Sequence, residues 1–160
     1  MIIYYEEDFV DFINAQPQMI IGFTSGCFDL LHPLHVEYLN KCKRECDKLF
    51  VFVDSDSLVQ TNKNKTPLIS EMDRAYMVDN LRSVSGVMIV KSLYEMGTIL
   101  YRVSRSLKDP DHHKYIVFKH HDNVYGTPLL ETPGMTNVII PDVIRFQSTT
   151  EITNHLKTTK

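Results

Sequence analysis

Short apolar runs alternate along the chain with longer stretches in which apolar positions recur every three or four residues. The runs lie at residues 19–23, 49–53, 87–90, 115–118 and 138–140 and are rich in branched and aromatic side chains. Their length and composition predict core strands. They are continuously apolar rather than alternating, which predicts strands covered on both faces, as in a parallel sheet. Among the acids of residues 4–14, Phe9, Phe12 and Ile13 fall on one side. This predicts a short amphipathic helix packed on the body, broken at Gln16-Pro17-Gln18. Residues 34–46 predict the first long helix. Ser70-Glu71-Met72-Asp73 has capping-box spacing and opens a helix running through Met77, Val78 and Leu81. Leu93, Met96, Ile99, Leu100 and Val103 share a face of a helix over 92–107, ended by Asp109-Pro110-Asp111. Ser148-Thr149-Thr150-Glu151 repeats the capping-box spacing and opens a last helix to Leu156. Residues 60–67 are polar without a period and predict a loop.

The resulting order, β-α-β-α-β-α-β-β-α, predicts an α/β, Rossmann-like fold. Its sheet is mostly parallel, of about five strands, with right-handed crossovers and helices on both faces. We expect one domain over 1–160, in which 1–18 form an N-terminal helical extension; no internal repeat, low-complexity segment or linker interrupts it. Hydrophobic residues make up 43%, enough for a real core. A net charge of −3 gives no global electrostatic reason to bind nucleic acid. No apolar run approaches the roughly 18 residues of a membrane span. The acidic start, lacking a basic n-region, does not read as a signal peptide. Three cysteines cannot all pair within one chain, so reduced thiols and a cytoplasmic location are expected. The absence of Cys-x-x-Cys spacing argues against structural zinc.

Polar clusters follow the strands, at 24–35, 54–65 and 119–123. In a parallel sheet such clusters converge beyond the carboxyl ends, in one crevice. The first cluster has the chemistry of an anion site: a strand turns through Gly26 into a helix beginning near Pro33, and a helix start carries unpartnered N–H groups and positive potential. His32 and His35, three apart at that start, present both rings on one side. They read as phosphate ligands; the plainer reading is a helix cap plus a surface residue, and a metal pair ranks low because no third ligand of suitable spacing stands out. Asp29 reads as an acceptor orienting a ring or the turn. Lys63 and Lys65 read as charges that close over a triphosphate, or as a solvated loop. Arg74 reads as a phosphate clamp, or as a surface ion pair with Glu71 or Asp79. Ser148, Thr149 and Thr150 offer hydroxyls at a helix start, a second anion cradle, although Ser148 alone is explained as an N-cap. Lys119 directly follows a strand and is placed to enter the crevice.

Taken together, these segments resemble the small nucleotidyltransferases of the cytidylyltransferase-like superfamily. The nearest likeness is to heptose-1-phosphate adenylyltransferases, then glycerol-3-phosphate cytidylyltransferases. Thr24-Ser25-Gly26-Cys27-Phe28-Asp29-Leu30-Leu31-His32, followed by His35, resembles the family's nucleotide-binding turn. Glu71-Met72-Asp73-Arg74 resembles its Glu-x-x-Arg segment, Val117-Phe118-Lys119 its late strand ending in lysine, and Ser148-Thr149-Thr150 its closing motif. The likeness runs over roughly residues 19–156, with the motifs in family order. It implies a reaction in which a phosphorylated small molecule attacks the α-phosphorus of a nucleoside triphosphate and releases pyrophosphate, with Mg²⁺ and without a protein base. It further implies that His32 and His35 contact the transferring group and that Lys63 or Lys65 closes over the phosphates. Arg74 would support the leaving side, the Ser-Thr-Thr segment would hold the outer phosphates, and Lys119 would face nucleotide or acceptor. It also implies a homodimer. Three departures stand out: Leu34 occupies the glycine place of the family's His-x-Gly-His, Thr153 stands where a basic residue is frequent, and His120-His121-Asp122 replaces glycines after Lys119. Leu34 motivates the competing reading, a catalytically weakened relative that binds nucleotide or a partner. A coenzyme-type adenylyltransferase is a third.

Overall fold

A computed structural model of the chain describes residues 1–3, 6–106, 113–120, 135–140 and 154, and in it all five apolar runs become strands. They are β1 (Ile20–Gly26), β2 (Lys48–Asp54), β3 (Gly86–Val90), β4 (Lys114–His120) and β5 (Met135–Ile140). All four pairings are parallel, and the strand order is β3-β2-β1-β4-β5. The chain therefore moves outward from β1 to β3, then returns to the opposite side of β1 for β4 and β5. The reversal falls between β1 and β4, where a doubly wound sheet opens its ligand crevice.

Five helices are described: α1 (Glu6–Asn14), α2 (Pro33–Arg44), α3 (Asp56–Lys63), α4 (Glu71–Asp79) and α5 (Leu93–Ser106). On one face of the sheet, Phe9 and Ile13 of α1 and Met96, Leu100 and Val103 of α5 pack on Ile21, Phe23, Phe50, Phe52 and Val117. The Phe9 ring meets Phe50 edge-on at 4.5 Å. On the other face, Tyr38, Leu39 and Cys42 of α2 and Ala75 and Val78 of α4 cover Leu49, Val51, Val53 and Phe118. Two-sided burial is why the strands read as unbroken apolar runs. Among the described residues no helix is long and apolar enough to cross a membrane.

The loop expected at 60–67 needs correction, because α3 extends through Lys63. Ser55 caps this helix, its hydroxyl accepting from the Leu58 N–H at 3.2 Å. Two turns bury only Leu58 and Val59, too few apolar positions to show a 3.6-residue period. Asn64, at φ 48°, turns the chain out of the helix. Ser70 caps α4 as its spacing predicts, accepting from Asp73 N–H, but that helix ends at Asp79, short of Leu81. The closing helix expected from 148 lies outside the described residues.

Gly22 marks the closest packing on β1. A Cβ there would stand 2.6 Å from both Cys46 Sγ and a Phe118 ring carbon. Gly22→Ala is therefore expected to cost about 1–3 kcal/mol through overpacking. A urea midpoint equal to wild type would count against this tight seam.

Candidate functional site

The carboxyl end of β1 is anchored by Thr24, which is fully buried. Its hydroxyl bonds the Tyr38 hydroxyl of α2 at 2.7 Å and donates to the Phe118 carbonyl of β4 at 3.3 Å. Thr24 thus ties together the two strands and the helix that border the crevice. Ser25 and Gly26 continue the strand, half-buried. The backbone then bends through two left-handed residues, Phe28 at φ 52° and Leu30 at φ 49°. Neither is glycine, so each conformation is costly and persists only where the surroundings impose it.

Two buried charges impose it. Arg74 of α4 has no exposed surface. Its Nη1 donates to the Cys27 carbonyl, its Nε to the Ile69 carbonyl at 3.0 Å, and its Nη2 to Asp56 Oδ1 at 2.6 Å. Asp29 is also buried, and its Oδ1 accepts from the N–H groups of Leu68 and Ile69 at 3.0 and 3.3 Å. Lys65 Nζ lies 3.9 Å from the other carboxylate oxygen. Together they clamp the 27–30 turn to the segment ahead of α4. The expected surface pairing of Arg74 with Glu71 or Asp79 is corrected: its partner is Asp56. Glu71 instead accepts from the Asp56 N–H at 2.7 Å. Asp29 holds the 68–69 backbone to the turn.

His32 is the N-cap position of α2, yet its side chain makes no cap bond. Pro33 at the first helical position has no N–H to satisfy. The His32 ring is buried and stacks on His35, with centroids 3.9 Å apart and planes 28° from parallel. The edge of Phe28 closes on His35 at 5.3 Å. Nδ1 of each histidine is buried without a hydrogen-bond partner among the described residues. Leaving such an atom unbonded costs about 1–3 kcal/mol, which a phosphate oxygen at this mouth would recover. Burial lowers the pKa of His32; burial first, then the charges of His32, Lys63 and His120, lowers that of His35 to about 3. Both rings are neutral at neutral pH and take up a proton more readily beside an anion.

Burial raises the pKa values of the Cys27 thiol and the Asp54 carboxyl; the charge of Lys63, at the end of α3, opposes both rises and adds to the lowering of His35. Lys119 is buried, and burial lowers its pKa. On β4, Tyr115 and Val117 face α1 and α5, whereas Phe118 faces α2. The period of two then places Lys119 and His120 on opposite faces of the sheet. His120 lies on the α2 side, 5.6 Å from the Tyr38 ring. Ser148, Thr149 and Thr150 lie outside the described residues. Among those described, no three His, Cys, Asp or Glu side chains gather as a metal site, and Cys27, Cys42 and Cys46 are free and buried.

A hollow of about 430 Å³ opens beside Leu31, His32 and Pro33. A roomier cavity of about 570 Å³ lies between α1, β3 and α5. Arg102 there pairs with Glu6 at 3.6 Å and Glu95 accepts from the Lys91 N–H, and no histidine among the described residues lines it, so the chemistry points to the smaller hollow. Sequence reasoning missed the Asp56–Arg74 pair and Tyr38, and placed His120 only within the 119–123 cluster, with no role of its own. Asp56 was signalled by its place just after a strand, and Tyr38 by standing one turn beyond His35.

The histidine geometry predicts an acid-sensitive fold. Below the ordinary histidine value near 6.5 the unfolded chain takes up the His35 proton, while the folded chain resists until about pH 3. Stability therefore falls as pH drops across that window. Urea midpoints should decline less steeply between pH 7 and 4.5 in His35→Gln than in wild type; equal slopes would remove His35 as the cause.

Comparison with known proteins now bears on the site. The family model described as cytidylyltransferase-like matches residues 23–159. The bifunctional protein HldE of Paramagnetospirillum magneticum is 39% identical over 134 residues, covering 81% of this chain and 25% of that protein. HldE of Hyphomonas neptunium is 32% identical over 145 residues, covering 88% and 28%. The chain thus spans about a quarter of the length of these curated relatives. Among solved structures, a lipopolysaccharide core biosynthesis protein from Thermoplasma volcanium aligns with a TM-score of 0.60 at 26% identity, covering 81% of this chain and 99% of that one.

Proposed function

This chain belongs to the cytidylyltransferase-like family of nucleotidyltransferases, and from that premise we propose that it transfers a nucleoside monophosphate from ATP or CTP to a phosphorylated sugar or polyol, releasing pyrophosphate. The observation that carries this reading is the stacked His32–His35 pair, with its unpartnered ring nitrogens at a helix N-terminus in the switch-point crevice. A sugar acceptor is supported by the Thermoplasma neighbour, named for lipopolysaccharide core biosynthesis.

In this reading an oxygen of the acceptor phosphate, already ionised at neutral pH, forms a bond to the α-phosphorus. The bond from that phosphorus to the pyrophosphate oxygen breaks. No protein base is needed, so catalysis rests on positioning and on stabilising charge. His32 and His35 meet the transferring phosphoryl group, and Lys63 or Lys65 closes over the phosphates; Lys65 would leave Asp29 to do so. The backbone of Thr24 to Phe28 forms the cradle. Arg74, with Nε and both terminal nitrogens donating to protein acceptors, serves the nucleotide through the turn it holds. Ser148, Thr149 and Thr150 take the outer phosphates; Lys119, on the sheet face opposite the imidazoles, would reach nucleotide or acceptor only around the carboxyl end of β4. Mg²⁺ prefers oxygen ligands; the hollow brings the Glu37 carboxylate beside His32, and Glu37 is paired with Arg44 at 3.7 Å, so the ion would be held chiefly by the phosphates of the incoming triphosphate. A cytoplasmic homodimer completes the reading, on the strength of the family resemblance.

The test is pyrophosphate release with ATP, CTP, GTP or UTP, Mg²⁺, and a pool of sugar, polyol and pantetheine phosphates. Acceptor-dependent release with ATP or CTP is expected. Stabilisation by a triphosphate without release would favour a nucleotide-binding module instead. Leu34, half-buried in the first turn of α2, is the feature behind that second reading, and a large gain of turnover in Leu34→Gly would establish it.

A further inference from the structure

The last residue of β4 meets the helix that carries the two stacked imidazoles. His120 follows Ile116 and Phe118 on the α2-facing side of the strand. It pairs in register with Ile140 of β5, so it sits at the carboxyl end of two strands at once. Its ring meets Tyr38 nearly edge-on, at 72°. Tyr38 lies three residues after His35 on α2, so the two share a helix face. The Tyr38 hydroxyl is fixed by Thr24, which holds this wall of the crevice in place. His120 is half-buried and near enough for its charge to be felt at His35.

We propose that His120 is a third imidazole of the anion site, binding the same polyphosphate as His32 and His35 from the β4 side. The proposal rests on the reading that the crevice takes a triphosphate. Two imidazoles reach the anion from the helix start, and the third approaches across the β1–β4 seam. An anion held this way is gripped from both sides of the switch point, where one helix terminus alone reaches it from one side. The plainer role for the ring, packing against Tyr38, is separable because phenylalanine would keep the packing and lose the ring nitrogens.

The measurement is calorimetric titration of the full chain with inorganic tripolyphosphate and with the four nucleoside triphosphates. Wild type, His120→Ala and His120→Phe are compared, with melting curves for each. Both variants should melt near wild type and bind tripolyphosphate about tenfold more weakly, as for a lost hydrogen bond to a charged group. His120→Phe binding tripolyphosphate as wild type does would overturn the assignment and leave packing as the role. Weaker binding of nucleoside triphosphates with tripolyphosphate unaffected would also overturn it, moving the contact to the nucleoside. Wild-type protein that bound none of these probes would overturn the nucleotidyltransferase reading itself, a result distinct from either failure of His120.

Discussion

His35→Ala should lower kcat by about 100-fold or more, with His32→Ala close behind, because each removes a donor placed where charge grows on the transferring phosphoryl group. The melting temperature should change little. Ordinarily a buried histidine holds a hydrogen bond whose loss unfolds the site. Here each ring leaves Nδ1 unbonded, so truncation removes no intramolecular partner. What is lost is the stacking contact and the edge of Phe28 against His35. The readout is turnover set beside a thermal melt. A variant that keeps wild-type kcat would remove that histidine from the reacting centre. One that loses turnover only by unfolding would make it structural. The double variant should be hardly slower than the worse single one, because the rings act on one group.

Arg74→Ala is the second large effect, and it falls on stability. Truncation leaves the Cys27 and Ile69 carbonyls without their donor and the Asp56 carboxylate without its counter-charge. The main cost is the two carbonyls left without their charged donor, about 1–3 kcal/mol each, because the half-exposed Asp56 carboxylate is rescued by water; the sum is a large share of a small domain's total. Arg74→Lys should recover little, since an ammonium cannot reproduce a planar fork that reaches three acceptors. Asp56→Asn should be milder, because that carboxylate is 43% exposed and screened by water. Denaturant titration of all three separates these outcomes. An Arg74→Ala protein as stable as wild type would mean that the 27–30 turn holds its shape unaided.

The sheet was legible because β1, β2 and β3 and most of β4 are buried on both faces, leaving unbroken apolar runs, although the edge strand β5 leaves Ile139 68% exposed. The caps of α4 and the start of α2 were legible because Ser70 and Pro33 act locally. Helix α3 was hidden because a two-turn helix with Leu58 and Val59 inside presents no period. The histidine pair could be placed at a helix start, but not its stacking, which depends on Phe28 closing from a left-handed turn. Arg74 reads in the sequence as a phosphate clamp or a surface ion pair because periodicity does not say which acceptors a neighbouring turn supplies; three of them draw the guanidinium inward. Lys119 and His120 show the same limit: strand alternation places them on opposite faces, but only the packing of α2 against β4 says which face meets the histidines.

The central position of β1 also sets an order of assembly. β1 pairs with β2 across a short stretch of chain, with Ile20 bonding Asp47 only 27 positions on, but Thr24 and Phe118 are 94 positions apart. On a ribosome adding about 5–20 residues per second, the second edge of β1 waits roughly 5–20 s for its partner. During that wait an apolar strand exposes an unpaired ladder, the kind of edge that recruits other chains. The crevice lies on this same seam, so it forms only after β1, β2 and β3 are in place, and no ligand can assist those earlier steps. The yield of soluble protein should therefore follow synthesis rate and temperature more closely than the stability of the finished fold.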